Sequence, residues 1–170
     1  MIPESVSVRR TAGTLNRNFM GYTTKRDTEV VALGTSGISD VNGAYAQNHR
    51  RLASYYQEVD EGRLPIERGY LLDRDDRLRR YVITELMCNG VVDLAATASL
   101  FEVPDPEVFA AEIESLSGPG GLVEEGMVTI EDSTVRTTEL GRLFVRRLAS
   151  VFDVHTARRS DNSPVFSKTI

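Results

Sequence analysis

The run Val30-Val31-Ala32-Leu33 constrains the fold of this chain more than any other segment. It is short, β-branched and lacks polar alternation, the pattern of a strand covered on both faces, as in a parallel sheet. A parallel strand needs neighbours, and residues 1 to about 48, rich in Gly, Thr and Asn, offer few. The run therefore reads as the last strand of a larger sheet, and the chain is expected to begin inside a longer protein. The segment after it, Gly34-Thr35-Ser36-Gly37-Ile38-Ser39, is a Gly- and Ser-rich strand exit where main chain can approach a ligand closely.

From residue 49 onward the pattern turns helical. Asn48 is placed to cap a helix reaching about Asp60, with Leu52, Tyr55, Tyr56 and Val59 on one stripe, Gly62 as its stop and Leu64-Pro65-Ile66 as a connector. Asp73 or Asp75 opens a second helix with the stripe Leu78, Tyr81, Val82 and Leu86, ended by Asn89-Gly90. A short third helix is expected over Asp93 to Leu100. Asp105 and Pro106 start a fourth that carries Val108, Phe109, Ile113 and Leu116 and stops at Ser117-Gly118. Met127–Ile130 and Val135–Thr138 flank Glu131-Asp132-Ser133-Thr134 as a hairpin. A closing helix from Thr138-Glu139 carries Leu140, Leu143, Phe144, Leu148, Val151 and Phe152. The class is α+β, mainly α. The order of three helices, a β-ribbon near 127–138 and a last helix resembles a winged helix.

Charge argues against the nucleic-acid role such an arrangement invites. From Tyr81 through Val135 there is no Lys, Arg or His, and the same stretch holds eleven acids. Nucleic-acid affinity comes largely from Lys and Arg displacing counterions at phosphates, so this half of the chain would repel a duplex. The net charge of −5 points the same way. No run approaches the roughly 18 apolar residues of a membrane span, and residues 1–13 show no signal-peptide pattern. The single cysteine, Cys88, excludes an internal disulfide and, with only His49 and His155 beside it in the inventory, excludes an iron–sulfur or closed zinc site made by this chain alone. Cys88 reads as a buried inert thiol. The two histidines read as surface or helix-end residues.

Several segments resemble one enzyme family. Leu15-Asn16-Arg17-Asn18-Phe19-Met20-Gly21-Tyr22-Thr23-Thr24 is similar to the RNFxGYTT segment of oxygen-independent coproporphyrinogen III oxidases. Leu33-Gly34-Thr35-Ser36-Gly37-Ile38-Ser39 and Tyr45-Ala46-Gln47-Asn48 resemble the LGxSAIS and CYAQN stretches of that family. Arg68-Gly69, Asp75-Asp76, Arg79-Arg80 and Leu86-Met87-Cys88-Asn89 follow its RG…DD…RR…LMCN order, and Phe166-Ser167-Lys168-Thr169-Ile170 resembles its FSRxI ending. Related radical S-adenosylmethionine (SAM) haem chaperones lack the first segment.

The resemblance implies a radical SAM enzyme of haem synthesis built on a partial (β/α) barrel. Such an enzyme uses two SAM molecules and a [4Fe–4S] cluster held by a CxxxCxxC loop to convert two propionates of coproporphyrinogen III to vinyl groups, giving protoporphyrinogen IX. This chain lacks that loop, so alone it is expected to have no turnover and to bind no cofactor. Residues 1–48 are expected to form the far edge of the barrel, and 49–170 a helical accessory domain. The resemblance places Ile38, through its backbone, and Met20, where the family often has Gln, against the second SAM. Arg17 and Tyr22 are candidates for positioning SAM or a substrate propionate, the alternative being that they anchor their loop. Tyr45 and Tyr55-Tyr56 read as core rather than as a porphyrin platform. Arg142, Arg146 and Arg147 read as a basic face paired with the acidic half of the domain. A cytoplasmic monomer with no membrane or nucleic-acid partner is expected. Two other readings stay open: a protein-binding module of winged-helix type, and a haem chaperone.

Overall fold

The computed structural model describes residues 13–26, 28–103 and 107–155. The expected cap at Asp105-Pro106 and the Phe166–Ile170 ending lie outside the described residues. Eight strands and six helices alternate along the described chain. A hairpin comes first, β1 (Asn16–Asn18) with β2 (Gly21–Thr23), in which Arg17 faces Tyr22. Next is a three-stranded antiparallel sheet, β3 (Ile38–Val41), β4 (Ala44–Asn48) and β5 (Ile66–Leu71), with β4 central and helix α1 (Leu52–Asp60) between β4 and β5. Then follow α2 (Arg74–Asn89), β6 (Val91–Asp93), α3 (Leu94–Leu100) and α4 (Ala110–Ser117). The ribbon β7 (Val128–Glu131) and β8 (Thr134–Thr137) and the helices α5 (Glu139–Leu143) and α6 (Val145–Val151) complete the described residues.

The second half folds around α2. Asp73 caps it: its carboxylate accepts from the Asp76 N–H, while the Asp76 carboxylate accepts from the Asp73 N–H, a reciprocal box that satisfies two helix-start donors. Gly90 ends it at φ +74°, and a Cβ there would meet Thr137 Oγ1 at 2.6 Å. Between these signals Leu78, Val82 and Leu86 recur at helical spacing and are fully buried. They meet Val92, Leu94, Phe109, Leu116, Val128, Val135, Leu148 and Phe152 in one core, where Phe109 and Phe152 pack edge to face at 5.9 Å. Each such side chain contributes about 1.5–3 kcal/mol by leaving water. The expected hairpin is present, with a two-residue Asp132-Ser133 loop, and β6 pairs with β8 to make it a three-stranded sheet.

The first half departs from expectation. Val30–Leu33 is not a buried parallel strand: Val30 makes a single antiparallel bridge to Asp40, and Val31 and Leu33 are 72% and 88% exposed. The ordered strand lies just after it, in β3. The type I′-like turn Asn42-Gly43, both at positive φ, folds β3 back onto β4. Asn48 caps no helix. It is buried at the end of β4, and its Nδ2 donates to the carbonyls of Ala32 (3.1 Å) and Gly34 (2.9 Å), tying down the loop before β3. Helix α1 starts after Arg51, and of its expected stripe Leu52, Tyr56 and Val59 are exposed, while Tyr55 is half-buried and its hydroxyl accepts from the Gly34 N–H at 3.0 Å. The connector Leu64-Pro65-Ile66 runs into β5, so the sheet joins residues on either side of position 48.

The closing helix also differs. It breaks at Phe144 into α5 and α6, leaving Leu140, Leu143 and Phe144 outside the core while Leu148 and Phe152 enter it. Gly141 sets this orientation. A Cβ there would overlap the Met127 carbonyl oxygen, so α5 turns its glycine inward and its leucines outward. Gly141→Ala is expected to lower stability by about 1–3 kcal/mol, as overpacking does, whereas Leu143→Ala should change it by less than about 0.5 kcal/mol. Urea midpoints for the two variants check this.

Candidate functional site

The tandem doublets Asp75-Asp76 and Arg79-Arg80 sit on the first two turns of α2, and adjacent helix positions point about 100° apart. Arg79 turns toward the core domain, where it pairs with Asp75 at 2.8 Å, with Glu112, and lies over the Phe109 ring. Arg80 turns toward the β3–β5 sheet. It grips Asp40 through both nitrogens, Nη1 at 3.0 Å from Oδ1 and Nη2 on Oδ2, and stacks 5.2 Å from the centre of the Tyr45 ring. Burial pushes the Tyr45 phenol above its ordinary range.

Asp76 joins three elements. Its side chain is only 6% exposed, and besides capping the helix it accepts from the Tyr70 hydroxyl of β5 at 2.8 Å and from His155 Nε2 at 2.7 Å, past the end of α6. Burial raises the Asp76 carboxyl, but His155, Tyr70 and the Asp73 N–H together outweigh it and hold the group below the usual carboxylate range. Tyr70 and His155 also meet edge to face at 5.7 Å.

These side chains wall a cleft of about 860 Å³ between the β1–β2 hairpin, the β3–β5 sheet, α2 and the turn after α6. The hairpin supplies Arg17 and Phe19, the latter edge to face with Tyr45 at 5.3 Å. Arg17 is part-buried, with Nη1 3.7 Å from Met87 Sδ and its guanidinium 5.8 Å from the centre of the Tyr22 ring. No carboxylate pairs with it among the described residues. Leu15 anchors the hairpin to α2 by exchanging two hydrogen bonds with Asn89.

Of the residues singled out in the sequence, Arg17 and Tyr22 come together, Arg17 in the cleft wall and Tyr22 behind it. Met20 stands at the hairpin tip, 87% exposed, so it fills no core. Ile38 lies in the other sheet opposite Gln47, outside the cleft. Antiparallel pairing turns its N–H and C=O away from β4, toward the edge where Val30 bridges Asp40. Tyr45 lines the cleft rather than the core, and Arg147 pairs with Glu125. The sequence reading missed the Tyr70–Asp76–His155 cluster. The doublet at Asp76 was a usable signal; the histidine, 79 positions away, carried none.

Cys88 is buried, and burial pushes its thiol up to about 11, so it is inert at neutral pH. Among the described residues no group of three His, Cys, Asp or Glu side chains could hold a metal ion. With one cysteine in the sequence, the chain's own residues do not fit a [4Fe–4S] cluster.

A core domain hung on one capped helix is joined through Arg80 to a sheet and hairpin, and residues 72–144 of this arrangement match the HemN C-terminal domain. Over 98% of its length the chain is 35% identical to the oxygen-independent coproporphyrinogen III oxidase of Escherichia coli (strain K12), and over 98% it is 34% identical to that of Thermostichus vulcanus. The solved structure of coproporphyrinogen III oxidase (HemN) from Escherichia coli, a radical SAM enzyme, superposes with a TM-score of 0.83 at 35% identity, over 90% of this chain and 35% of that one. The chain spans about a third to a half of these curated relatives, 36% of the first and 50% of the second.

The Asp76 cluster has a pH signature. A carboxyl held low when folded contributes stability that is complete above its unfolded value, near 4, and lost as pH falls through the folded value. Asp76→Asn is expected to cost about 1–3 kcal/mol at pH 7. It should also flatten the loss of stability on acidification below about pH 4. Urea titrations at several pH values read both effects.

Proposed function

We propose that this chain is part of an oxygen-independent coproporphyrinogen III oxidase, a radical SAM enzyme that converts two propionates of coproporphyrinogen III to vinyl groups in haem synthesis. The observation that carries this is the match to such enzymes over 98% of the chain, which includes the Arg17–Tyr22 hairpin as well as the core domain. In this reading the cluster-binding cysteines and the first SAM site belong to other parts of the protein.

Residues 1–48 form the far edge of the SAM barrel, and 49–170 the accessory domain, winged-helix-like in its sequence of helices and ribbon. The boundary falls inside the β3–β5 sheet, which crosses position 48, and exposed apolar residues on both sides of it support a contact with further structure. Val31, Leu33, Leu52, Tyr56, Leu64 and Leu71 all face out, and a surface of that kind marks a contact with further structure. Among the described residues before 49 only Leu15, Asp40 and Asn48 are buried, so this part holds no core of its own.

Ile38 offers its outward main chain to the second SAM, and exposed Met20 reaches the same ligand from the hairpin tip. Arg17, backed by Tyr22, takes a substrate propionate through its planar fork. The stretch from 81 to 135 holds eleven acids and no Lys, Arg or His, which supports a protein with no nucleic-acid partner.

The test is anaerobic turnover of coproporphyrinogen III by the longer protein that carries this chain. Protoporphyrinogen IX is expected as product, and Met20→Gln should tighten SAM binding without changing the product. The 170-residue chain alone, reconstituted with iron and sulfide, should take up no cluster chromophore. A longer protein that binds haem and leaves coproporphyrinogen untouched would favour the chaperone reading instead.

A further inference from the structure

The outer edge of β3 has a rung missing. Val30 and Asp40 exchange both main-chain hydrogen bonds, the Val30 N–H donating to the Asp40 carbonyl at 2.9 Å and the Asp40 N–H to the Val30 carbonyl at 2.8 Å. In an antiparallel ladder such bonded pairs recur two residues further along each strand, so the next pair would be Ala32 with Ile38. The run Val30–Leu33 has the β-branched, apolar composition to continue. It stops after one bridge instead. Among the described residues the Ile38 N–H and carbonyl, which point to that edge, have no partner.

Both groups that Ala32 would offer to Ile38 are taken by side chains. The Ala32 N–H donates to Ser39 Oγ at 3.0 Å, and the Ala32 carbonyl accepts from Asn48 Nδ2 at 3.1 Å. The same amide nitrogen donates to the Gly34 carbonyl at 2.9 Å, using both its hydrogens, and the Gly34 N–H donates to the Tyr55 hydroxyl. Asn48 is buried, so water competes little for these bonds. Gly37 gives Ala32 its room, since a Cβ there would meet the Ala32 Cβ at 3.0 Å. A loop that only needed anchoring could be held by any of its polar groups. Here the two that are held are those that would close the rung.

We propose that Asn48 and Ser39 are positioning residues that hold Ala32 off β3, so that the main chain of Ile38 stays open to SAM. The inference rests on the proposed function and deepens it by naming what keeps that contact free. Neither side chain needs to touch the ligand; both act through Ile38. One N–H and one C=O on the same side of a residue suit a ligand edge that sets a donor beside an acceptor, as the adenine of SAM does. Without the two side chains, the chain's own Ala32 would fill the place.

Hydrogen exchange at the Ile38 amide, followed by NMR on the 170-residue chain, reads the rung directly. In the wild type this amide should exchange fast. In Ser39→Ala and in Asn48→Ala, Ala32 is free to pair with Ile38, and exchange there should slow by about tenfold or more. A substitution that merely loosens the fold speeds exchange, so slowing is a sign that a purely structural role would not give. Ser39→Thr keeps the hydroxyl and should match the wild type. Thermal melts show which variants fold, and Ser39→Ala, which removes a single bond, serves if Asn48→Ala does not. In anaerobic turnover by the longer protein, Ser39→Ala should raise the KM for SAM about tenfold and leave the KM for coproporphyrinogen III unchanged. An Ile38 amide already protected in the wild type, or exchange that stays fast in the folded variants, overturns the proposal. An unchanged KM for SAM also overturns it and leaves the proposed function standing. A longer protein without turnover sinks the proposed function, and exchange at Ile38 still decides whether Asn48 and Ser39 hold the rung open.

Discussion

The buried carboxylate of Asp76 is the joint on which the rest of this structure turns. One oxygen closes the capping box of α2 and accepts from Tyr70; the other holds His155. A single group thus ties the start of the central helix to the last strand of the sheet and to the chain beyond the last described helix. An ionised carboxylate is costly to bury and is tolerated where several donors surround it. Its value here is directional: it fixes where three segments meet, and the cleft is the space they leave.

The two halves of the chain are held by different forces. Residues after Leu72 share an apolar core, and its energy scales with buried area. Residues before it are held by directed polar contacts: the Arg80 grip on Asp40, the Asn48 amide on the loop carbonyls, and Asn89 on Leu15. Buried ion pairs add little net stability, but they select one geometry. That division leaves apolar side chains exposed on the outer face of the first half, while its inner face brings Arg17, Phe19 and Tyr45 to the cleft.

Much of the second half was legible because its signals are local. Asp73 and Gly90 bracket α2, Asp93 caps α3, Thr138 starts α5, and the alternating residues around Asp132-Ser133 form the hairpin as read. The first half was misread where a local pattern lost to context. Val30–Leu33 has strand composition, but the Asn42-Gly43 turn sets β3 and β4 as the paired strands and leaves the apolar run outside. Asn42-Gly43 was itself a strong hairpin signal. Asn48 had the chemistry of a cap and used it on a loop. At the site, Arg17 and Tyr22 were found through motif resemblance. Asp76 and His155 meet only through folding, and no spacing rule links residues so far apart.

The stretch without cations, Tyr81 to Val135, borrows every ion pair described for it. Glu85 is met by Arg26, Glu102 by Arg74, Glu112 by Arg79 and Glu125 by Arg147. Three of these four arginines precede the acids they neutralise. During synthesis from the ribosome the cations are therefore already outside when the acidic stretch emerges, and self-repulsion is relieved as it grows. Only Glu125 must wait, for an arginine in the final described helix.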